Sequence, residues 1–178
     1  MRWEEHVDRV LADLEQQAEG LALAERDALV AEQRTGEYAA VEIAARFHAS
    51  VGTEIRMQVV GLGAMEARLA RVGAGWLLLA SARQQSIVRL AAVSAVRGLS
   101  ARAVGGAARP LAARLGLTSA LRGVATDRAE VAVHTTDGSS RRGLIGRVGA
   151  DFFELATSDD RLTLDVVPFA ALAVVRSV

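Results

Sequence analysis

The chain has 178 residues, with no cysteine and no lysine. The missing cysteine excludes a disulfide framework and any thiolate chemistry. Every one of the 21 basic residues is therefore arginine. Arginine's planar fork binds phosphate or carboxylate bidentately and stacks on flat rings. Acid is also missing over a long stretch: none occurs from Ala67 to Thr126, where Arg68, Arg71, Arg83, Arg89, Arg97, Arg102, Arg109, Arg114 and Arg122 fall. Residues 1–34 show the opposite bias and carry an excess of acid, although the formal net charge of the whole chain is zero.

Other absences narrow the function. The opening MRWEEHVDRV has acids where a signal peptide carries a basic patch and an apolar run. The longest apolar stretch, VVPFAALAVV at 166–175, is half a membrane span and contains Pro168. These features lead us to expect a cytoplasmic protein without a membrane partner. His6, His48 and His134 have no ligand at helical spacing, so no metal is expected. Gly61–Leu62–Gly63 lacks the third glycine and the following helix of a dinucleotide fingerprint. Asp159–Asp160 reads as a solvated turn, and Ser139–Ser140 has no nearby base. We expect no enzyme and no cofactor.

What is present is periodicity. Trp3, Val7, Val10, Leu14, Gln17, Leu21, Ala24, Ala28 and Ala31 are spaced alternately by four and three. That is a heptad seam, and it predicts an amphipathic helix over 1–35 that acts as a coiled coil or as a lid. Gly20 weakens its middle by about 1 kcal/mol relative to Ala.

The second pattern is a duplication. RVGAGWLLLA at 71–80 returns as RVGADFFELA at 147–156, 76 positions later. At the same offset VEIAARFHAS (41–50) lies over LTSALRGVAT (117–126), both helical in pattern. Glu54–Met57 lies over Glu130–Val133, and both alternate apolar with polar as half-buried strands do. Asp137–Gly138 is a hairpin signal, matched by Gly61–Gly63 in the first copy. VRLAAVSAVR (88–97) lies over VPFAALAVVR (167–176) at an offset of 79. Each copy therefore reads as a short helix followed by about five short strands, able to curl into a small barrel. The stretch 101–116, rich in Gly, Ala and Arg, reads as a linker.

The stretch DGSSRRGLIGRVGADFFEL (137–155) followed by VVPFAALAVV (166–175) resembles the Sm-like fold, particularly its bacterial Hfq branch. The arrangement also resembles uncharacterised bacterial proteins from GC-rich genomes. Gly143 falls where Sm-like proteins let the second strand bend, a role that suits a residue without Cβ. Asp151 and Phe152 fall near the Gln-Phe position of Hfq-like proteins. Pro168–Phe169 and Arg89–Leu90 stand where those proteins carry a Lys-His pair, and Ala67 replaces the bending glycine in the first copy. The resemblance covers 41–100 and 117–178. It implies edge-to-edge assembly and RNA binding.

The resulting expectation is a mainly β protein with helices. The amphipathic helix of 1–35 leads into a first Sm-like or SH3-like small barrel at 36–100. A linker at 101–116 and a second barrel at 117–178 follow. As function we expect a non-catalytic module for RNA or single-stranded nucleic acid. Its surface would be built from Arg71, Trp76, Arg97, Arg102, Arg109, Arg114, Arg147 and Phe152, where the arginines neutralise phosphates and the rings stack bases. The alternative is a scaffold whose helix and barrels bind protein, with the acidic N-terminal segment or another subunit covering the arginines. Self-association is expected in both cases.

Overall fold

The computed structural model describes residues 20, 23, 26–27, 39, 41–105, 110–157 and 164–178. The chain divides into two compact units, Met1–Glu42 and Ile43–Val178. The helix and coiled-coil seam expected over 1–35 lie outside the described residues, apart from Gly20, Leu23, Arg26 and Asp27, which are helical. All further description concerns Ile43–Val178.

Two short helices lead the two halves of this unit: α1 (Ile43–Ala49) and α2 (Leu117–Asp127). In α2, Leu117, Ala120, Leu121, Val124 and Ala125 recur at helical spacing and form one apolar stripe that packs on a core. The helix ends where Arg128 turns left-handed, with φ 50°, and its N–H returns to the Ala125 carbonyl. In α1, Ala45 and Phe47 are buried.

The described residues form ten strands. The first half holds β1 (Glu54–Val59), β2 (Gly63–Gly73), β3 (Trp76–Ala80), β4 (Gln85–Arg89) and β5 (Val93–Arg97). The second holds β6 (Glu130–Thr135), β7 (Ser140–Val148), β8 (Phe152–Thr157), β9 (Leu164–Pro168) and β10 (Leu172–Ser177). Strand β1 buries Ile55, Met57 and Val59, and β6 buries Val131, Val133 and Thr135. The block 88–97 divides between the end of β4, a 3-10 turn at Leu90–Ala92, and β5.

The structure corrects the expected fold class. In place of two separate small barrels, the ten strands form one open antiparallel sheet, ordered β5-β1-β2-β3-β4-β10-β6-β7-β8-β9. The duplication survives as a repeated pairing scheme, since β1 joins β2 and β5 just as β6 joins β7 and β10. The physical reason for the correction is the edges. Neither half pairs its own fourth and fifth strands, so each would keep two unsatisfied edges. Strands β4 and β10 satisfy each other instead. Periodicity reports which residues face a core and is silent on which edge meets which.

Two cores flank this sheet. The first gathers Phe47, Ile55, Met57, Leu69, Leu77, Leu79 and Val88, together with Ala173 and Val174 from β10. The second gathers Leu121, Val131, Phe153, Leu155 and Leu172, together with Trp76 and Ile87 from the first half. Each half thus lends side chains to the other's core. The two leading hairpins also meet: a Cβ on Gly61, whose φ is +78°, would stand 2.2 Å from the Thr135 carbonyl oxygen. Gly143 marks another close approach, because a Cβ there would stand 2.0 Å from the Ala156 oxygen.

Candidate functional site

The join between β4 and β10 is the most developed surface between the two halves. Val88 faces Val174, Ile87 faces Val175, and Ser86 faces Arg176. Alternation sends the first pair into the first core and the second pair into the second core. Polar groups close the ends. Gln84 Nε2 donates to the Ser177 carbonyl at 2.8 Å, and the Gln85 N–H donates to Ser177 Oγ at 3.0 Å. Arg89 Nη1 donates to the Ala170 carbonyl at 2.9 Å. Trp76 completes the join: its Nε1 donates to the Leu115 carbonyl at 2.8 Å, and the Ala74 N–H donates to the same oxygen at 3.0 Å. The far end of the stretch expected as a linker is therefore part of the join.

The sheet leaves two edges, β5 and β9. On β9, Leu164 and Val166 are 56% and 60% exposed. Large apolar side chains on an unpaired edge are what natural sheets ordinarily avoid. Asp165 lies between them and holds Arg141 Nε at 2.9 Å. Pro168 closes the far end of the edge with a residue that has no N–H to offer. At the other edge Arg97 stands opposite Arg56 of β1, so two like charges face each other. A groove of about 340 Å³ runs there, lined by Arg56, Met57, Gln58, Ala95, Val96 and Arg97.

The residues expected to bind nucleic acid are distributed as follows. Arg71, Arg97, Arg102, Arg114 and Arg147 are exposed, and Arg109 lies outside the described residues. Trp76 is 8% exposed. Its ring lies so close to Gly73 that a Cβ there would stand 2.2 Å from ring atoms. Its packing and hydrogen bond make it a core residue of the join. Phe152 is half-buried, and its ring lies on Gly149 in the same way. The structure brings Arg71 to the cavity of about 230 Å³ that Trp76, His48, Pro110 and Leu115 help line.

The two decamers differ in charge. Arg147 makes a bidentate pair with Glu154, at 2.9 and 2.7 Å. Hydrogen bonding from Arg147 holds the Glu154 carboxyl below its usual range and, in turn, raises the arginine. Leu78 occupies the corresponding place in the first copy, and Arg71 has no ion pair among the described residues. A second acid sits in the β6–β7 turn. There the Thr135 hydroxyl, and then the Ser139 N–H and hydroxyl, hold Asp137 down to about 2.

Among the described residues no helix is long and apolar enough to cross a membrane. None of those residues forms a group of three or more His, Cys, Asp or Glu able to hold a metal. No family model matches the chain, and no curated protein matches it.

Leu164, Val166 and Ala95 were missed by sequence reasoning as residues of functional interest. The only signal for them was the comparison of the two copies position by position.

Proposed function

We propose that this chain is a non-catalytic assembly module that associates with itself through the open edges of its sheet. The observation that carries this reading is the open outer edge of β9, where Leu164 and Val166 are more than half exposed. Strand addition would satisfy the edge's backbone groups and remove both side chains from water. The light-scattering mass of the purified chain tests the reading. A mass that is a multiple of 18.8 kDa, reduced to that of one chain by Val166→Arg, supports it. A single-chain mass at every concentration overturns it.

A second reading rests on a different observation. Arg71, Arg97, Arg102 and Arg114 are exposed and have no ion pair among the described residues. Such arginines suit phosphate neutralisation, which imposes a steep salt dependence on binding. Fluorescence polarisation of single-stranded RNA and DNA at about 50 and 200 mM salt tests it. Replacing Arg71, Arg102 and Arg114 with Ala, none of which lies on β5 or β9, removes binding under this reading and leaves self-association intact under the first.

A further inference from the structure

We infer that a second copy of this chain lays its β5 along β9 of the first, repeating between chains the β4–β10 join that each chain already contains. The inference rests on the assembly reading and names its strands, register and charges.

The duplication supplies the template. Adding 79 to a residue of β4 gives its counterpart in β9, and adding 79 to one of β5 gives its counterpart in β10. Equivalent positions differ in burial in one consistent direction. Ile87 is 8% exposed, while its counterpart Val166 is 60% exposed. Trp76 is buried, while its counterpart Phe152 is only half-buried. On the other side Val174 has no exposure, while its counterpart Ala95 is exposed. The same positions are covered where a neighbouring half is present and open where none is.

The template also fixes the register. Val88 opposite Val174 becomes Val167 opposite Ala95. Ile87 opposite Val175 becomes Val166 opposite Val96. Ser86 opposite Arg176 becomes Asp165 opposite Arg97. In this register Val166 enters the flank of the next copy's first core, where Val96 already packs, just as Ile87 enters the second core within the chain.

The third pair commits the occupant to a second copy. Within the chain this position pairs serine with arginine. At the open edges it pairs an acid with an arginine that stands opposite Arg56 on its own sheet. Asp165 would then lie between Arg141, which it already holds, and the incoming Arg97. Opposite charges directly across an antiparallel pair are favourable. The contact is head-to-tail, so each added copy leaves one β5 and one β9 open. The assembly then closes into a ring or extends as a filament, according to its rotation.

The chain has no cysteine of its own, which permits a clean test. Arg97→Cys and Asp165→Cys chains are prepared separately, mixed and oxidised. Directly opposite strand residues fall within the Cα separation of about 4.4–6.8 Å that a disulfide needs. The expected product is a disulfide-linked pair formed by the mixture and by neither chain alone. Pairing Arg97→Cys with Leu164→Cys, one residue out of register, should yield at least about tenfold less.

Charge reversal gives an independent readout. Arg97→Asp should weaken self-association by at least about tenfold, because it places two acids opposite each other. Mixing it with Asp165→Arg should restore the association between the two chains. A wild-type mass above one chain without the 97–165 cross-link overturns this inference and leaves the assembly reading standing. A wild-type mass of one chain overturns both.

Discussion

Val88 and Val174 stand directly opposite each other on β4 and β10, and neither has any solvent exposure. One comes from the first half of the duplication and the other from the second, and they share a core. The halves are therefore coupled through the sheet itself, and they should unfold together. Leu69→Ala in the first core and Leu155→Ala in the second should each cost about 2–5 kcal/mol. Both should shift one common transition in chemical denaturation. Two transitions, with each variant moving only its own, would show that the halves are independent.

The meeting of the two hairpins makes a second prediction. Gly61 has φ +78°, and a Cβ there would run into the Thr135 carbonyl oxygen and Thr136. Gly52 has a similar φ of +92° but open space around it. The backbone conformation alone costs a non-glycine residue about 1–3 kcal/mol. Gly61→Ala should therefore destabilise clearly more than Gly52→Ala in the same denaturation assay. Equal effects would mean that the hairpins do not touch in solution.

The β6–β7 turn should give the protein an acid-sensitive limb. Asp137 is held down to about 2 from an ordinary 3.8, so its ionised form favours the folded chain. That stability is complete above 3.8 and is lost as pH falls toward about 2. Asp137→Asn should flatten this part of the stability–pH curve.

His134, on β6, is lowered from 6.5 by burial and then by the nearby Arg176. Protonation there favours the unfolded chain, so this contribution is complete above 6.5 and falls away as pH drops below it. His134→Gln should remove that dependence while leaving the Asp137 limb in place. An unchanged curve between the two variants would contradict the assignment.

Strand faces and turns could be read in the sequence, while the architecture that joins the strands could not. Alternation located Ile55, Met57, Val131 and Val133 on the buried faces of strands, because a pleat with period two reports facing directly. Asp137–Gly138 marked a hairpin through its turn chemistry, and Gly138 indeed has φ +87°.

The continuous sheet was not legible, because β4 and β5 have the same local pattern whether they close a barrel or join a neighbour. Trp76 is a candidate base-stacking ring by sequence, and its burial in the second core together with its bond to Leu115, 39 residues away, places it in the join instead. Val166 and Ile87 carry the same apolar pattern in sequence and differ in exposure, 60% against 8%, because β4 has a neighbour and the outer edge of β9 has none.

Pairing of the open edges between copies of the chain can be followed by amide hydrogen exchange along β5 and β9 at high protein concentration and after dilution. Outward-facing amides of the two edge strands should be protected at high concentration and become fast-exchanging together on dilution, while those of β4 and β10 stay protected throughout. Fast exchange of those outward-facing amides at every concentration would contradict pairing between copies.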